Sequence, residues 1–269
     1  MDLKTLVPPV LLPLARRLSS GRIRYVSHPG DWQSASTRSS GYGAAIIVDR
    51  VAAATREVVA GRAAYERDSK TFAQPSYSHP LLAALLRAAA VNGGHLEVVD
   101  YGGSLGSLYW QYRSLLTGLA SVRWQVVEQP AFVELGRREF TVDALSFADS
   151  IASIAPPRVP PVLLAGSVLQ YLPEPDRILS DWMRSLARWL ILDRMPLTEL
   201  PEHRLYVQRV PRSLYRASYP CWMLSAPRLR AALRDWRTLY EYDSLPGEFL
   251  TDDWQPFRYR GLACERPGP

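Results

Sequence analysis

Residues 98–107, VVDYGGSLGS, constrain the fold of this chain more than any other stretch. The two valines are β-branched, and a buried parallel strand typically begins in this way. Asp100 ends the strand, and the glycines after it allow a tight turn that a ligand can approach closely. The stretch therefore predicts a strand, a turn and a helix from Leu105 to Leu119, with a ligand outside the carboxyl end of the strand.

The order of the acid and the glycines indicates which ligand fits this turn. Gly102, Gly103 and Gly106 surround Ser104, which stands where a dinucleotide site has its middle glycine. A carboxylate at Asp100 repels a pyrophosphate but suits the cationic amino-acid end of S-adenosylmethionine (SAM). A glycine turn that binds no ligand is the alternative that the pattern leaves open.

Polar residues also follow the next two predicted strands. Glu128 and Gln129 come after an apolar run at 122–127, and a carboxylate in that place can accept hydrogen bonds from both ribose hydroxyls. This position supports a nucleoside without distinguishing SAM from NAD. Asp149 and Ser150 follow the third strand, where they can reach the adenine amino group or, alternatively, cap the next turn.

Six segments together resemble a group of bacterial class I SAM-dependent methyltransferases. They are YERDS (65–69), VVDYGGSLGS (98–107), VVEQ (126–129), LLAGSVLQYLPEP (163–175), LILDRMP (190–196) and SYPCW (218–222). The resemblance runs from about residue 41 to the end of the chain. Most members of the group are uncharacterised and are encoded in surface-polysaccharide or natural-product gene clusters.

The resemblance implies an α/β chain with the Rossmann-like class I methyltransferase fold. We expect a seven-stranded, mostly parallel sheet with helices on both faces, and an N-terminal helical lid. Residues 1–95 are expected to form an N-terminal arm and the lid. Residues 96–269 are expected to form the SAM-binding domain, with an insertion at about 195–224 that is rich in aromatic residues and arginine.

The resemblance also suggests roles for side chains around the fourth predicted strand. Ser167 and Gln170 are expected to contact the cofactor, and Tyr171 is expected beside the reacting methyl group. The face of the Tyr171 ring could stabilise a cationic sulfonium, whereas a purely structural aromatic residue is the alternative.

Further candidates lie in the lid and in the insertion. Arg67 could bind the SAM carboxylate through two hydrogen bonds, and Tyr77 could do so through one. A surface ion pair is the alternative for this region. In the insertion, His203 and Tyr219 are candidate catalytic residues, although a lone histidine is more often structural.

Three functions are compatible with these residues. The first is a SAM-dependent methyltransferase that acts on a small molecule or a sugar, in bacterial natural-product or surface-polysaccharide biosynthesis. The second is a methyltransferase-fold enzyme that cyclises SAM itself to azetidine-2-carboxylate and releases methylthioadenosine. The third is a non-catalytic module that binds SAM or NAD.

Composition limits the partners and the cellular location that we expect for this chain. A net charge of +6 arises mainly from dispersed arginines, so we expect no nucleic-acid partner. Only Cys221 and Cys264 occur, which predicts a reducing, cytoplasmic location and no metal site. No apolar run is long enough to predict a membrane span. Residues 6–15 are expected to form an arm that can pack on a partner subunit, so a homodimer is an assembly the sequence allows.

From residues 31 to 40 the serine-rich sequence predicts a loop, and 42–65 predicts a helix that breaks near Gly61. A second helix is expected from Pro80 to Val91, with glycines closing it. The fifth strand is expected to be short, at 189–192.

Overall fold

The computed structural model describes residues 23–40, 45–185, 187–211 and 217–267. The expected N-terminal arm at 6–15 and residues 212–216 of the expected insertion lie outside these described residues. The described strands are β1 (Arg24–Ser27), β2 (Tyr65–Arg67), β3 (Lys70–Phe72), β4 (His95–Tyr101), β5 (Ser121–Val127), β6 (Leu145–Ala148), β7 (Val162–Gly166), β8 (Trp189–Thr198), β9 (Arg204–Val210), β10 (Ala217–Ser225), β11 (Arg237–Asp243), β12 (Phe249–Leu250) and β13 (Pro256–Glu265). The described helices are α1 (Trp32–Thr37), α2 (Ala45–Val59), α3 (His79–Val91), α4 (Ser107–Tyr112), α5 (Pro130–Glu139), α6 (Pro175–Arg184) and α7 (Ala226–Ala232).

The central sheet contains eleven of the described strands rather than the seven expected, and seven of them lie in the order β6-β5-β4-β7-β8-β13-β11. Strands β4 to β8 pair in parallel, whereas β13 is antiparallel both to β8 and to β11. The sheet is therefore mostly parallel, with one reversed strand among these seven. This confirms the predicted Rossmann-like class I methyltransferase fold.

Alternate residues of the central strands pack on opposite faces, because successive side chains of a strand point to opposite sides. Leu164 lies in a core cluster with residues of α2, α3, α4 and α5. Its neighbour Leu163 lies in a second cluster with residues of α6 and α7. Both faces are covered by helices, which explains why these strands are almost continuously apolar.

Strand β8 is longer than the expected fifth strand, and it changes the expected insertion. It runs ten residues to Thr198, and its far end pairs in parallel with the end of β10. Strand β10 pairs with β9, and β9 with β1, both antiparallel. Much of the expected 195–224 insertion is thus sheet that continues from the core.

The N-terminal region contains the expected helices together with a small hairpin. Helix α2 ends before Gly61, whose φ of 74° is left-handed, and α3 begins after the Ser78 cap. The YERDS segment forms β2 and the turn of the β2–β3 hairpin, in which the Tyr65 and Phe72 rings stack with centroids 4.5 Å apart. No helix within the described ranges combines the length and apolar content that crossing a membrane requires.

Two local expectations were wrong. The region expected to be a loop contains α1, because the Asp31 side chain accepts a 2.8 Å hydrogen bond from the Ser34 amide and so caps a helix start. The helix after the glycine turn ends at Tyr112 and is followed only by a short 3₁₀ turn. Thr117 and Gly118 lower helix propensity in the part that was expected to continue.

Candidate active site

A cavity of about 960 Å³ opens at the carboxyl edge of the parallel strands. Its size is in the range of pockets that bind small molecules, roughly 300–1,000 Å³. The candidate residues that line it are Arg67, Asp100, Gly102, Gly103, Ser104, Glu128, Gln129, Asp149, Ser167, Tyr171 and Tyr219. The candidates that do not line it are Tyr77, Gly106, Ser150, Gln170 and His203. The position of the site is therefore the one expected for an open α/β sheet.

The glycine turn after β4 forms a cradle that side chains would fill. Gly102 has a φ of 72°, and its amide donates a 2.8 Å hydrogen bond to the carbonyl of Val127. A Cβ atom on Gly102 would lie 2.5 Å from Cγ2 of Val168. A Cβ atom on Gly103 would meet the carboxylate of Asp100. The glycines are thus required both by backbone conformation and by the close approach of neighbouring groups.

Asp100 is a buried carboxylate with one unsatisfied oxygen. The residue is 1% exposed, and its Oδ2 accepts a 2.9 Å hydrogen bond from the indole of Trp124. Its Oδ1 has no hydrogen-bond partner among the described residues. Burial, with a smaller contribution from Glu128, raises the pKa of the Asp100 carboxyl to about 7. A cationic ligand in the cavity would satisfy this oxygen and favour its ionised form.

Glu128 adds a second carboxylate at the end of the neighbouring strand. Its Oε2 accepts a 2.6 Å hydrogen bond from the amide of Gln129, and the Ser104 amide also donates to the carboxylate. Burial raises the pKa of the Glu128 carboxyl in spite of these two donors. The two amides orient the carboxylate at the cavity wall, which is the arrangement that recognition of a ribose diol requires.

The structure separates the two candidates after the third strand. Ser150 caps a 3₁₀ turn, Ile151–Ser153, and does not line the cavity. Asp149 does line the cavity, and its Oδ1 accepts hydrogen bonds of 2.7 Å from Ser153 and 3.2 Å from Ser150. These hydroxyls lower the pKa of the Asp149 carboxyl. Ser150 therefore has the capping role that the sequence left open as an alternative.

At the other end of the cavity, tyrosines and one glutamine form a hydrogen-bonded wall. The Tyr171 hydroxyl donates to Oε1 of Gln208 at 2.9 Å, and Nε2 of Gln208 donates to the Tyr219 hydroxyl at 3.3 Å. The hydroxyls of Tyr25 and Tyr259 share a 2.5 Å hydrogen bond. We call these five residues, all of which line the cavity, the tyrosine wall. Burial raises the pKa of Tyr171 well above its usual value, so its hydroxyl stays protonated at neutral pH.

Four of the candidates that do not line the cavity have other roles in the structure. His203 has both ring nitrogens engaged, with Oδ1 of Asp176 at 3.0 Å from Nε2 and with the Ser225 amide donating to Nδ1 at 2.8 Å. Gln170 is fully buried and donates to the Ser167 hydroxyl at 2.9 Å. Tyr77 packs edge-on against Tyr112, with ring centroids 5.5 Å apart. Gly106, the fourth, precedes α4 with a φ of 81°.

The hairpin places Arg67 at the mouth of the cavity. Its guanidinium donates a long 3.4 Å hydrogen bond to Gln111 and lies 5.3 Å from the centre of the Tyr65 ring. Burial, together with the nearby Arg194, lowers the pKa of Arg67. These weak contacts leave the guanidinium able to pair with a carboxylate of a ligand.

Sequence reasoning missed several lining residues that come together only in three dimensions. No local spacing indicated Tyr25, Gln111, Phe249, Phe257 and Tyr259, because they belong to different strands and helices. Glu66, Ser107, Arg194 and Gln208 lie within segments that the sequence singled out, but only the structure shows that they line the cavity. Across the described residues, no group of three or more His, Cys, Asp or Glu side chains is arranged to hold a metal ion.

Ser104 provides a first prediction. Its φ of 57° is left-handed, and a non-glycine residue there costs roughly 1–2 kcal/mol. We expect Ser104→Gly to raise the free energy of unfolding by about 0.5–1 kcal/mol, because the relief of strain exceeds the added freedom of the unfolded chain. Urea denaturation measures this, and Ser107→Gly, in the first turn of α4, is the control that should destabilise. An unchanged or lower stability for Ser104→Gly would contradict the prediction.

Comparison with known proteins gives structural neighbours only. No family model matches the sequence, and no curated protein matches it. A 1,6-didemethyltoxoflavin N1-methyltransferase from Burkholderia thailandensis, with S-adenosylhomocysteine bound, is 15% identical, with a TM-score of 0.46 over 91% of this chain and 95% of that chain. An amino pentose methyltransferase from Micromonospora echinaspora is 12% identical, with a TM-score of 0.44 over 71% and 92%. A magnesium protoporphyrin IX methyltransferase from Synechocystis PCC 6803 is 19% identical, with a TM-score of 0.43 over 70% and 77%. Similarity at this level does not transfer a function, which is therefore inferred from the chain's own residues.

Proposed function

We propose that this chain is a SAM-dependent methyltransferase that acts on a small molecule or a sugar. The observation that carries the proposal is the unsatisfied Oδ1 of Asp100 beneath a glycine cradle, at the edge of the sheet where the fold binds ligands. An anionic pyrophosphate would be repelled by Asp100, whereas SAM carries an ammonium and a sulfonium. The residues present therefore fit SAM better than a dinucleotide.

Each polar group of the cofactor has a candidate partner on the wall. Asp100 and the cradle lie where the amino-acid end would bind, and Arg67 can pair with its carboxylate. Glu128, which accepts hydrogen bonds from two backbone amides, would accept from the ribose hydroxyls, and Asp149, which also lines the cavity, would serve the adenine end. Gln170 acts indirectly, since it donates to Ser167 at the end of β7.

Bound SAM would supply an electrophilic methyl group for in-line displacement. The protein must then hold the acceptor atom roughly 3 Å from that methyl group and in line with it. The tyrosine wall, with Phe249 and Phe257 beside it, presents mostly aromatic carbon with hydroxyls that already have partners. Such a wall favours an acceptor with an apolar or planar group, which the shape of the cavity would orient because few hydrogen-bonding groups are free to do so.

The resemblance supplies the biological setting of this proposal. A role in bacterial natural-product or surface-polysaccharide biosynthesis follows from the group whose motifs the chain shares. Among the described residues that line the cavity there is no histidine, and the groups there that could accept a proton from an acceptor are carboxylates.

SAM cyclisation is a second candidate, and the tyrosine wall is the observation that favours it. In that reaction the amino nitrogen of SAM attacks its own γ-carbon, the carbon–sulfur bond breaks, methylthioadenosine leaves, and the nitrogen loses one proton. Aromatic faces around a sulfonium would stabilise its charge. No acceptor compartment would then be needed.

One experiment tests the proposal against its rivals. Binding of SAM, S-adenosylhomocysteine and NAD is measured by calorimetry, and the protein is then incubated with SAM alone and with a panel of candidate acceptors. Mass spectrometry showing turnover only with an acceptor supports methyl transfer. Methylthioadenosine formed without an acceptor supports cyclisation. Binding of NAD in place of SAM, or of neither, overturns the proposal.

Tyr171 provides a prediction for either reaction. Tyr171→Phe removes the hydroxyl that donates to Gln208 and leaves a buried amide oxygen unsatisfied in the cavity wall. We expect turnover to fall by roughly tenfold or more while affinity for SAM changes less, because the wall lies beside the reacting atoms rather than at the amino-acid end.

The matched control for this variant is Tyr240→Phe. Its hydroxyl donates a 2.8 Å hydrogen bond to the Pro80 carbonyl, and it does not line the cavity. Turnover of Tyr240→Phe should equal that of the wild type. Full activity of Tyr171→Phe would limit Tyr171 to packing.

A further inference from the structure

Glu66 is a buried carboxylate in the lid hairpin that no candidate role includes. It lies in β2, between Tyr65 and Arg67, and it lines the cavity although the residue is only 4% exposed. Its Oε1 accepts a hydrogen bond from the hydroxyl of Ser107. Ser107 is the first residue of α4 and follows the glycine turn directly. The carboxylate is therefore held against the amino-acid end of the candidate cofactor site.

The other oxygen of Glu66 is unsatisfied. Oε2 is buried and makes no hydrogen bond with a described residue, although the Ser69 amide lies close to the carboxylate. The neighbouring Arg67 instead contacts Gln111 and the Tyr65 ring. Burial raises the pKa of the Glu66 carboxyl to about 7. A buried polar atom without a partner is uncommon in folded proteins, and it usually has an explanation in an absent water, ion or ligand.

A cation is the ligand group that this arrangement suits. An ionised carboxylate only accepts hydrogen bonds, so its missing partner must be a donor, and a positively charged donor also offsets the cost of burying the charge. Arg67 lies next to Glu66 in the same hairpin and offers the opposite charge. Both side chains line the cavity, so a zwitterion could place its ammonium at Glu66 and its carboxylate at Arg67.

We propose that Glu66, held by Ser107, binds the α-ammonium of the cofactor's amino-acid end, so that the β2–β3 hairpin and the Asp100 turn grip this end from two sides. The inference rests on the proposed function, because it takes SAM as the ligand. It goes beyond that function by assigning the ammonium to a residue of the lid. It also makes the docking of the hairpin on α4 part of cofactor recognition.

The test compares two ligands that differ in the amino-acid end. S-adenosylhomocysteine carries the zwitterion, whereas methylthioadenosine keeps the nucleoside and the thioether but lacks it. Calorimetry measures the Kd of both ligands for the wild type and for Glu66→Gln. We expect Glu66→Gln to raise the Kd of S-adenosylhomocysteine by roughly 10- to 100-fold, which is the range for losing a hydrogen bond to a charged group. The Kd of methylthioadenosine should stay within about twofold of the wild-type value.

Glu134→Gln is the matched control, because it makes the same substitution at an exposed glutamate of α5 that does not line the cavity. We expect this variant to bind both ligands like the wild type. Thermal unfolding checks that Glu66→Gln folds, and its midpoint should equal or exceed that of the wild type because a buried, partly unsatisfied charge has been removed.

The outcomes separate this inference from the proposed function. Unchanged binding of both ligands by Glu66→Gln overturns the inference, and so does equal weakening of both, which would mark a structural role. Normal binding of S-adenosylhomocysteine with turnover lost also overturns it, since Glu66 would then act on the acceptor. A wild type that binds neither ligand overturns the proposed function itself.

Discussion

Replacing Asp100 by asparagine is expected to weaken SAM binding and, at the same time, to stabilise the ligand-free protein. The binding loss should be about 2–3 kcal/mol, because the amide cannot offer a charged acceptor to the cationic ligand. The ligand-free protein is stabilised because the substitution removes a carboxylate whose charged form is unfavourable where it is buried. The folded state raises the Asp100 pKa from its ordinary 3.8 to about 7, so it disfavours the ionised form.

The sign of this effect follows from proton binding. Between about pH 4 and pH 7 the folded protein holds more protons at Asp100 than the unfolded chain does, so the stability contributed by this group falls as the pH rises and is lowest above pH 7. Asparagine abolishes this loss. At pH 8 we expect Asp100→Asn to raise the free energy of unfolding by about 1–4 kcal/mol. Urea denaturation at pH 5 and pH 8, with calorimetric titration of SAM, measures both effects.

Glu97→Gln is the control for this pair of measurements. Glu97 lies in the same strand and is 6% exposed, but its carboxylate pairs with Arg123 and accepts a 2.8 Å hydrogen bond from the Arg158 amide. Removing this charge should lower stability by about 1–3 kcal/mol without a direct effect on SAM. If Asp100→Asn instead bound SAM normally, or lost stability as Glu97→Gln does, Asp100 would be a structural carboxylate.

Gly102→Ala is the second variant with a large expected effect. Alanine would have to adopt the left-handed φ of 72° that glycine has at this position. Its methyl group would lie 2.5 Å from Cγ2 of Val168. The conformational cost is roughly 1–2 kcal/mol, and the crowding adds about 1–3 kcal/mol. We expect the free energy of unfolding to fall by about 2–5 kcal/mol, with loss of SAM binding because the turn must shift.

A double-mutant cycle separates the two causes. Val168→Ala removes the two Cγ atoms but keeps the Cβ atom, which would lie 2.8 Å from the new methyl group, so Gly102→Ala combined with Val168→Ala should recover part of the steric loss and none of the conformational loss. Chemical denaturation of the four proteins gives the coupling energy. A coupling energy near zero would show that Val168 does not crowd a side chain at position 102. Unchanged SAM affinity in Gly102→Ala would show that SAM binding does not need a glycine at this position.

The central sheet could be predicted because its signals are local. Each parallel strand is an apolar run that ends in a polar residue or a glycine, and Asp100 and Glu128 mark the carboxyl edge directly. The cofactor side of the site follows from this, since the carboxyl ends of neighbouring parallel strands meet at one edge.

The tyrosine wall, on the side of the cavity away from the glycine turn, could not be predicted from local signals. Gln208 meets Tyr171 and Tyr219 only because β9 and β10 pair with each other and β10 pairs with β8. His203 illustrates the limit as well. It lies in the expected insertion, but β9 begins only at the next residue, so the histidine lies beside Asp176 and Ser225 rather than at the cavity.

The length of β8 has a consequence for how substrate choice can change in such a chain. One strand carries Asp193 at the cavity and, four residues later, Leu197, which pairs with Leu224 of β10. Continuous sheet therefore sets the distance between Asp193 and the two residues of the tyrosine wall in β9 and β10, Gln208 and Tyr219. Exchanging β9 and β10 for those of a relative would preserve this distance only if β8 were exchanged with them.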